Sequence, residues 1–346
     1  MSDYKNSGVD IQAADLWTST LSKLTSGGAN AEMRKRLLSG IGDYAATYQL
    51  SEDLALALSC DGVGTKLLWT LEGLGSYSDL AKDLLAMNVN DLLCVGASPL
   101  LFLDYLAVSS KSLIAGEKAP LGTFIEGLNK HCSEIGMLLV GGETAQMPDL
   151  YEEGHFDLAG FAVGTLRPED RLGPHRLKDG ASIWGWSSSG PHSNGFSYLR
   201  KLFDSKKDAA LIREQFMAGT RLYVNELKTL KKLLAEKART ADLQAAFHIT
   251  GSGLLNLIRY DARFAFELNE WPKTSPDWFS AIQERSGQSR VELLKNFNGG
   301  FGMIVILDAD SKVSPQDLMA LGLQKLGKVR ASETPQVSVD GVSFED

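Results

Sequence analysis

The chain has 346 residues, more than one hydrophobic core comfortably serves, so two domains are expected. Hydrophobic residues make up 44% and charged residues 23%, which excludes a largely disordered chain. A net charge of -8 excludes a protein built mainly to hold nucleic acid, but leaves room for a local nucleotide site of backbone N–H groups, a few cations and Mg²⁺.

Three cysteines, Cys60, Cys94 and Cys132, are odd in number and widely spaced, with no C-x-x-C pair, which fits a reducing compartment. The opening MSDYKNSGVDIQ lacks the basic-then-apolar pattern of a secretory signal, and no run approaches the roughly 18 apolar residues of a membrane span. A cytoplasmic protein without a membrane partner is expected.

Along the chain, Leu54 to Ser59 (LALALS) predicts a short buried strand that ends in the polar loop DGVGTK. From Asp79 to Val95 apolar residues recur at helical spacing and predict an amphipathic helix. After a break at Ser98-Pro99, LLFLDYLAV predicts a strand and Pro120 to Ile135 a helix with proline near its first turn. MLLVGGET predicts a buried strand running into a Gly-Gly turn, and FDLAGFAVGTL a further strand. That order of elements is a mixed α/β domain. RPEDRLGPHRLKDG, polar and broken by proline and glycine, marks a linker, so the domains are expected at 1–168 and 169–346. The second half offers the strand SIWGWS, the turn SSGPHSNG, a helix from Phe196 and strands at FAFEL, FGMIVIL and LQKLGKV, again α/β. No repeat or low-complexity tract is present.

Several segments carry chemically useful groups. DGVGTK, Asp61 to Lys66, holds an acid, two glycines, a hydroxyl and an amine, and is either a phosphate and Mg²⁺ cradle or an ordinary turn; its spacing is not that of a Walker A loop. Asp83, Asn90 and Asp91 share one helix face, either a Mg²⁺ face or simply a solvated one. GGETAQMP places Glu143 behind two glycines, as a third carboxylate of a site or as a surface residue on a turn. SSSGPHSNG, Ser187 to Gly195, is rich in hydroxyls before a helix start, an anion site by its N–H groups and dipole, with His192 either a proton donor and acceptor or a structural histidine. HITGSG and FNGGFGM are further glycine-rich turns, and neither is the GxGxxG of a dinucleotide fold. No hydrolase triad order or H-E-x-x-H motif is present.

Taken in this order, GVDI, DGVGTK, MNVNDL, FLDY, GGETAQMP, LAGFAVG, SSGPHSNG, HITGSG and FNGGFGM resemble the phosphoribosylformylglycinamidine cyclo-ligase (aminoimidazole ribonucleotide synthetase) family from about Tyr4 to Leu307. The resemblance implies a two-domain α/β fold with mixed sheets. Its N-terminal ATP-binding domain would pair with that of a second subunit into a β-barrel, making a homodimer, and its C-terminal domain would be α/β. It also implies formylglycinamidine ribonucleotide as substrate with ATP and Mg²⁺: the formyl amide oxygen is phosphorylated, then an internal nitrogen closes the imidazole ring and expels phosphate. On the same resemblance Asp61, Asp91 and Glu143 hold Mg²⁺ and Lys66 contacts phosphate. Gly62, Gly64, Thr65, Asn90, Gly141 and Gly142 line the nucleotide site. Ser188, Ser189, Gly190, Ser193 and Asn194 hold the substrate phosphate or the reacting amide, and His192 is the acid/base candidate. The chain departs from the family's usual pattern at Gln146 and Ser252, in NLIRY, and in GIGDYAA around Gly40 and Gly42. Two other readings stand beside this one: a sister ATP-using enzyme, such as formylglycinamidine ribonucleotide synthetase, selenophosphate synthetase or thiamine-monophosphate kinase, and a paralogue that binds nucleotide without turnover.

Overall fold

The computed structural model describes residues 11–26, 31–116, 119–260 and 263–344. Tyr4 and the first three residues of GVDI lie outside them. Helices α1 (Ile11–Ser26) and α2 (Ala31–Arg34) precede a six-stranded sheet. Its strands are β1 (Leu37–Ser39), β2 (Ala46–Gln49), β3 (Ala55–Gly62), β4 (Ser98–Val108), β5 (Leu138–Gln146) and β6 (Phe156–Leu166), in the order β1-β2-β3-β6-β4-β5. Short α3 (Lys66–Leu71) and long α4 (Tyr77–Cys94) join β3 to β4. Only β4 and β5 run parallel, because α5 (Pro120–Glu134) supplies the crossover that a parallel pair needs.

The strand alternation leaves one face of this sheet open. In β3, Ala55, Ala57 and Ser59 are buried while Leu58 and Cys60 are exposed, and β6 alternates in the same way. Leu103, Phe161, Leu138 and Val140 add exposed apolar surface. The expectation that the β3 run is buried throughout is therefore corrected: helices cover only its other face. A second correction concerns the glycine pair, where β5 continues without a turn through Gly141 and Gly142 to Gln146. A Cβ at Gly142 would overlap the Asp104 backbone, so glycine is required there by close approach of β4.

Helix α4 starts at Ser76, whose hydroxyl accepts from the Asp79 N–H at 3.0 Å. It is buried almost all round, from Leu80 to Cys94, rather than amphipathic. The reason is a second covering layer, since α4 packs on β3 and β6 on one side and on β8 and α8 of the second domain on the other.

That second sheet has seven strands: β7 (Ser182–Ser187), β8 (Leu243–His248), β9 (Phe264–Leu268), β10 (Phe301–Leu307), β11 (Leu323–Ala331), β12 (Gln336–Val339) and β13 (Val342–Ser343). Their order is β13-β12-β9-β11-β7-β10-β8, antiparallel except for β9 with β12. Helices α6 (Phe196–Leu202), α7 (Ala209–Gln215), α8 (Val224–Glu236), α9 (Asp277–Ser286), α10 (Arg290–Leu294) and α11 (Pro315–Ala320) surround it. Strands β8 and β10 are buried at every position, and the buried residues of both sheets form one continuous core through α4.

Candidate active site

The polar groups converge where β3 ends, along the last turns of α4 and at the end of β8. The Asp61 backbone N–H donates to Asn88 Oδ1 at 2.9 Å, and Asn88 Nδ2 returns a bond to the Asp61 carbonyl at 3.2 Å, so α4 fixes the strand end. Burial, and then the charge of Asp91, push the Asp61 carboxyl up to about 6. His248, the last residue of β8, donates from Nδ1 to Asp91 Oδ1 at 3.0 Å. Asn90 Nδ2 lies 3.4 Å from the other ring nitrogen, Nε2. The His192 ring is centred 6.3 Å from that of His248. Asp61, Asp91, His248 and His192 therefore neighbour one another along a polar seam in which Asp91 and His248 are hydrogen-bonded.

The loop from β7 to α6 is tied by hydrogen bonds to the segments around Gly219 and Asn298–Gly300. Ser188 N–H donates to the Gly300 carbonyl at 2.8 Å, Asn298 Nδ2 to the Gly190 carbonyl at 2.9 Å, and Ser189 Oγ to the Gly219 carbonyl at 2.8 Å. His192 sits at φ 63°, in the left-handed region, and its Nε2 accepts from the Ser189 N–H at 3.2 Å. That bond leaves the proton on Nδ1. Burial, and then nearby His248 and Lys66, hold the imidazole well below its usual range, so it is neutral at pH 7. His192 is therefore a buried neutral donor and not an exposed group poised to exchange protons with water. Its Nδ1, the Ser188 Oγ and the Asn194 Nδ2 are all buried without a hydrogen-bond partner among the described residues. These three polar atoms lie beneath the loop's surface, so a polar ligand would satisfy them only where the loop shifts to admit it. Helix α6 begins only at Phe196 and has 7 residues, so the loop's own donors, rather than a long dipole, make this site polar.

Other expectations need correction. Lys66 is 1% exposed and pairs with Asp83, itself fully buried, at 2.8 Å, while donating to the Ala218 carbonyl at 2.8 Å. Its amine is not available to a phosphate in this arrangement. Asp83 also accepts from Thr220 N and Oγ1, at 2.8 and 2.6 Å, so the face carrying Asp83, Asn90 and Asp91 is neither solvated nor a row of metal ligands. Asn90 holds backbone: its Nδ2 donates to the Arg221 carbonyl at 2.9 Å and its Oδ1 accepts from Tyr223 N–H at 3.2 Å. Thr65 Oγ1 bonds Ser197 Oγ at 2.9 Å, and Ser193 Oγ bonds Thr220 Oγ1 at 3.2 Å. Gly64 takes φ 71° in the loop, and a Cβ on Gly62 would press on the Leu158 carbonyl.

Glu143 does not join Asp61 and Asp91. It is paired across the sheet with Tyr105, which pairs with Ala159 and so with Gly62, whereas Asp61 stands on the rung of Gly160, Asp104 and Gly142. Adjacent rungs point to opposite faces. Asp61 faces α4 and Glu143 faces the open side, and no three-acid metal cluster forms among the described residues. Asp61 and Asp91, whose charges act on each other, are the carboxylate pair here whose chemistry suits a divalent cation that keeps waters and substrate oxygens as its remaining ligands. Among residues given no role from sequence, His248 and Thr220 are central; His248 is visible there as the first residue of HITGSG, but nothing local shows that it meets Asp91.

A two-sheet fold with this site defines a class. The family models for the N-terminal and C-terminal domains of AIR synthase related proteins match residues 42–166 and 178–340, and the chain belongs to that family. The phosphoribosylformylglycinamidine cyclo-ligase of Burkholderia multivorans is 36% identical over 95% of this chain and 93% of its own, and that of Burkholderia cenocepacia 35% identical over the same shares. Within the family, then, the chain falls with the phosphoribosylformylglycinamidine cyclo-ligase enzymes. The fold extends to AaThiL complexed with AMPPCP and TMP, at TM-score 0.64 and 17% identity over 97% of this chain and 95% of that one. It extends also to the hydrogenase maturation protein HypE, at TM-score 0.60 and 15% identity over 91% and 96%.

Proposed function

We propose that the chain converts formylglycinamidine ribonucleotide to aminoimidazole ribonucleotide in purine biosynthesis, with ATP as phosphoryl donor. The observation that carries this reading is the seam from the raised Asp61 carboxyl to the three unpartnered donors of the Ser188–Asn194 loop. ATP binds toward Asp61 and the Gly62–Thr65 loop, and the formyl amide toward the loop donors. The bond from the γ-phosphorus to ADP breaks as the formyl oxygen takes the phosphoryl group. A substrate nitrogen then attacks the formyl carbon, the carbon–oxygen bond breaks, and phosphate leaves with the proton that nitrogen gives up.

In this scheme Ser188, His192 and Asn194 orient the amide and phosphate groups, with His192 giving an Nδ1–H hydrogen bond. Asp61 and Asp91 would hold Mg²⁺, which neutralises charge on the transferring phosphoryl group when bound. His248 sets the orientation of Asp91. Lys66 acts from behind, its pair with Asp83 fixing Ala218 and Thr220 beneath the loop. The open face of the first sheet, with Leu58, Leu103 and Phe161 exposed, supports a homodimer closed by sheet pairing, and Glu143 on that face then reaches the nucleotide of the partner subunit. Three unpaired cysteines support work in a reducing cytoplasm.

The test is ADP release with Mg-ATP, with and without formylglycinamidine ribonucleotide, alongside an assay for the aminoimidazole product. Equal yields of ADP and aminoimidazole are expected. ADP without that product would replace this reading with a sister kinase or synthetase, and neither would leave a nucleotide-binding protein without turnover.

A further inference from the structure

Away from the Asp91–His192 seam, the two domains meet around a cavity of about 560 Å³. It lies beside the start of β3 and the end of β6, and is closed by the 167–176 segment and α8. Asp61 is at the other end of β3, about 20 Å from Ala55 at the rise of an extended strand. The cavity and the seam are separate places.

In a chain of net charge -8, the cavity is lined by four cations, Arg167, Arg176, Lys231 and Lys232, against two acids, Asp53 and Asp170. Arg167 is neutralised by Glu169 and Asp170, each at 3.0 Å, and Lys232 lies 3.9 Å from Glu236. Arg176 and Lys231 differ. Both are half-buried, and among the described residues neither has a carboxylate oxygen within 4.0 Å. Lys231 donates to the Gly96 carbonyl at 2.7 Å, and Arg176 reaches only the Asp170 carbonyl, at 3.5 Å. Burial lowers the Lys231 amine, Asp170 opposes that and the charge of Arg176 adds to the lowering, while burial lowers Arg176 and Asp170 again opposes; both side chains line the same cavity. Two like charges lining one cavity, hydrogen-bonded to carbonyls and sharing the distant Asp170 carboxylate that Arg167 already holds, are stabilised by an anion placed between them.

We propose that this junction cavity binds a phosphate-bearing small molecule, its phosphate held between Arg176 and Lys231 and its less polar part against Leu54, Leu166 and Leu243. The guanidinium fork matches two phosphate oxygens and the ammonium takes a third. The volume lies in the range of small-molecule sites and exceeds what a bare phosphate fills. The ligand spans both domains. It also touches the residue that Lys231 ties to the turn after α4, the helix that carries Asp91.

The experiment uses the full chain saturated with Mg²⁺ and a non-hydrolysable ATP analogue, titrated calorimetrically with adenosine monophosphate and, separately, with inorganic phosphate. One additional site per chain is expected for adenosine monophosphate, with inorganic phosphate competing for it. Arg176→Gln and Lys231→Gln should each weaken it about tenfold or more, the scale of a lost charged hydrogen bond, while affinity for the analogue is unchanged. Arg167→Gln, whose charge is already paired, should leave it nearly unaltered. Hydrogen exchange on the wild-type chain gives a readout without any variant: α8 and residues 167–176 should exchange more slowly with adenosine monophosphate present. Absence of an additional site for both probes, unchanged exchange in those segments, or binding indifferent to both substitutions overturns the proposal.

Discussion

Lys66 and Asp83 show how a residue chosen for its charge can serve the fold instead. Their ion pair is enclosed, with Thr220 donating to Asp83 and Lys66 donating to the Ala218 carbonyl. Lys66→Met would leave a buried carboxylate without its cation and should cost about 3–5 kcal/mol in urea unfolding, whereas Lys66→Met with Asp83→Leu should recover much of that. A single substitution costing under about 1 kcal/mol would refute the buried-pair account. Asp308 offers a milder case. The Lys178 amine, 2.6 Å away, and then the Asp310 N–H hold its carboxyl below the usual range. Its contribution is fully present above the unfolded value of about 4 and disappears as pH falls through the lower folded value. Asp308→Asn should therefore be less stable than the wild type at pH 7, with the difference shrinking as pH falls below about 4, read from thermal unfolding across that range.

Strand β10 supports the site from below, because Gly302 lies directly under the His192 ring and the Tyr223 hydroxyl. Gly302→Ala would overlap both groups. It should cost about 1–3 kcal/mol of stability and displace His192, lowering turnover while nucleotide affinity holds; unchanged turnover would remove His192 from the substrate side. Individual elements differ in how far local pattern discloses them. DGVGTK and SSGPHSNG stand out because glycine, proline and serine punctuate strand ends, and β3, β6, β7 and β10 lie where their apolar runs suggest. FNGGFGM likewise opens β10. Gly141-Gly142 misleads because glycine marks both turns and close approach, and only the neighbouring Asp104 backbone decides between them. Strand β8, LQAAFH, escapes notice since a strand buried on both faces has no alternation. The pairing of His248 with Asp91 joins residues 157 positions apart, beyond any local pattern.

At the scale of the molecule, the open face of the first sheet is the feature that a lone chain leaves unexplained. If it is the dimer surface, Leu103→Glu with Phe161→Glu should give a monomer by sedimentation and abolish turnover; a monomeric wild type would refute the pairing. Shared sites make a further demand. Asp61→Asn and Glu143→Gln chains, each inactive alone, should regain roughly a quarter of wild-type activity when refolded together, because half of randomly paired dimers are mixed and each has one intact site. No recovery would place Glu143 outside the partner's site. Helix α4 has an effect on how the chain is made. Its first covering layer follows within the same domain, but β8 arrives roughly 150 residues after its end, so at ~5–20 residues per second a ribosome holds that apolar helix half-clad for roughly 7–30 s. During that interval the nascent chain is a substrate for chaperones that grip exposed apolar helices, and synthesis slowed between Cys94 and Leu243 should raise the insoluble fraction more than slowing after β8.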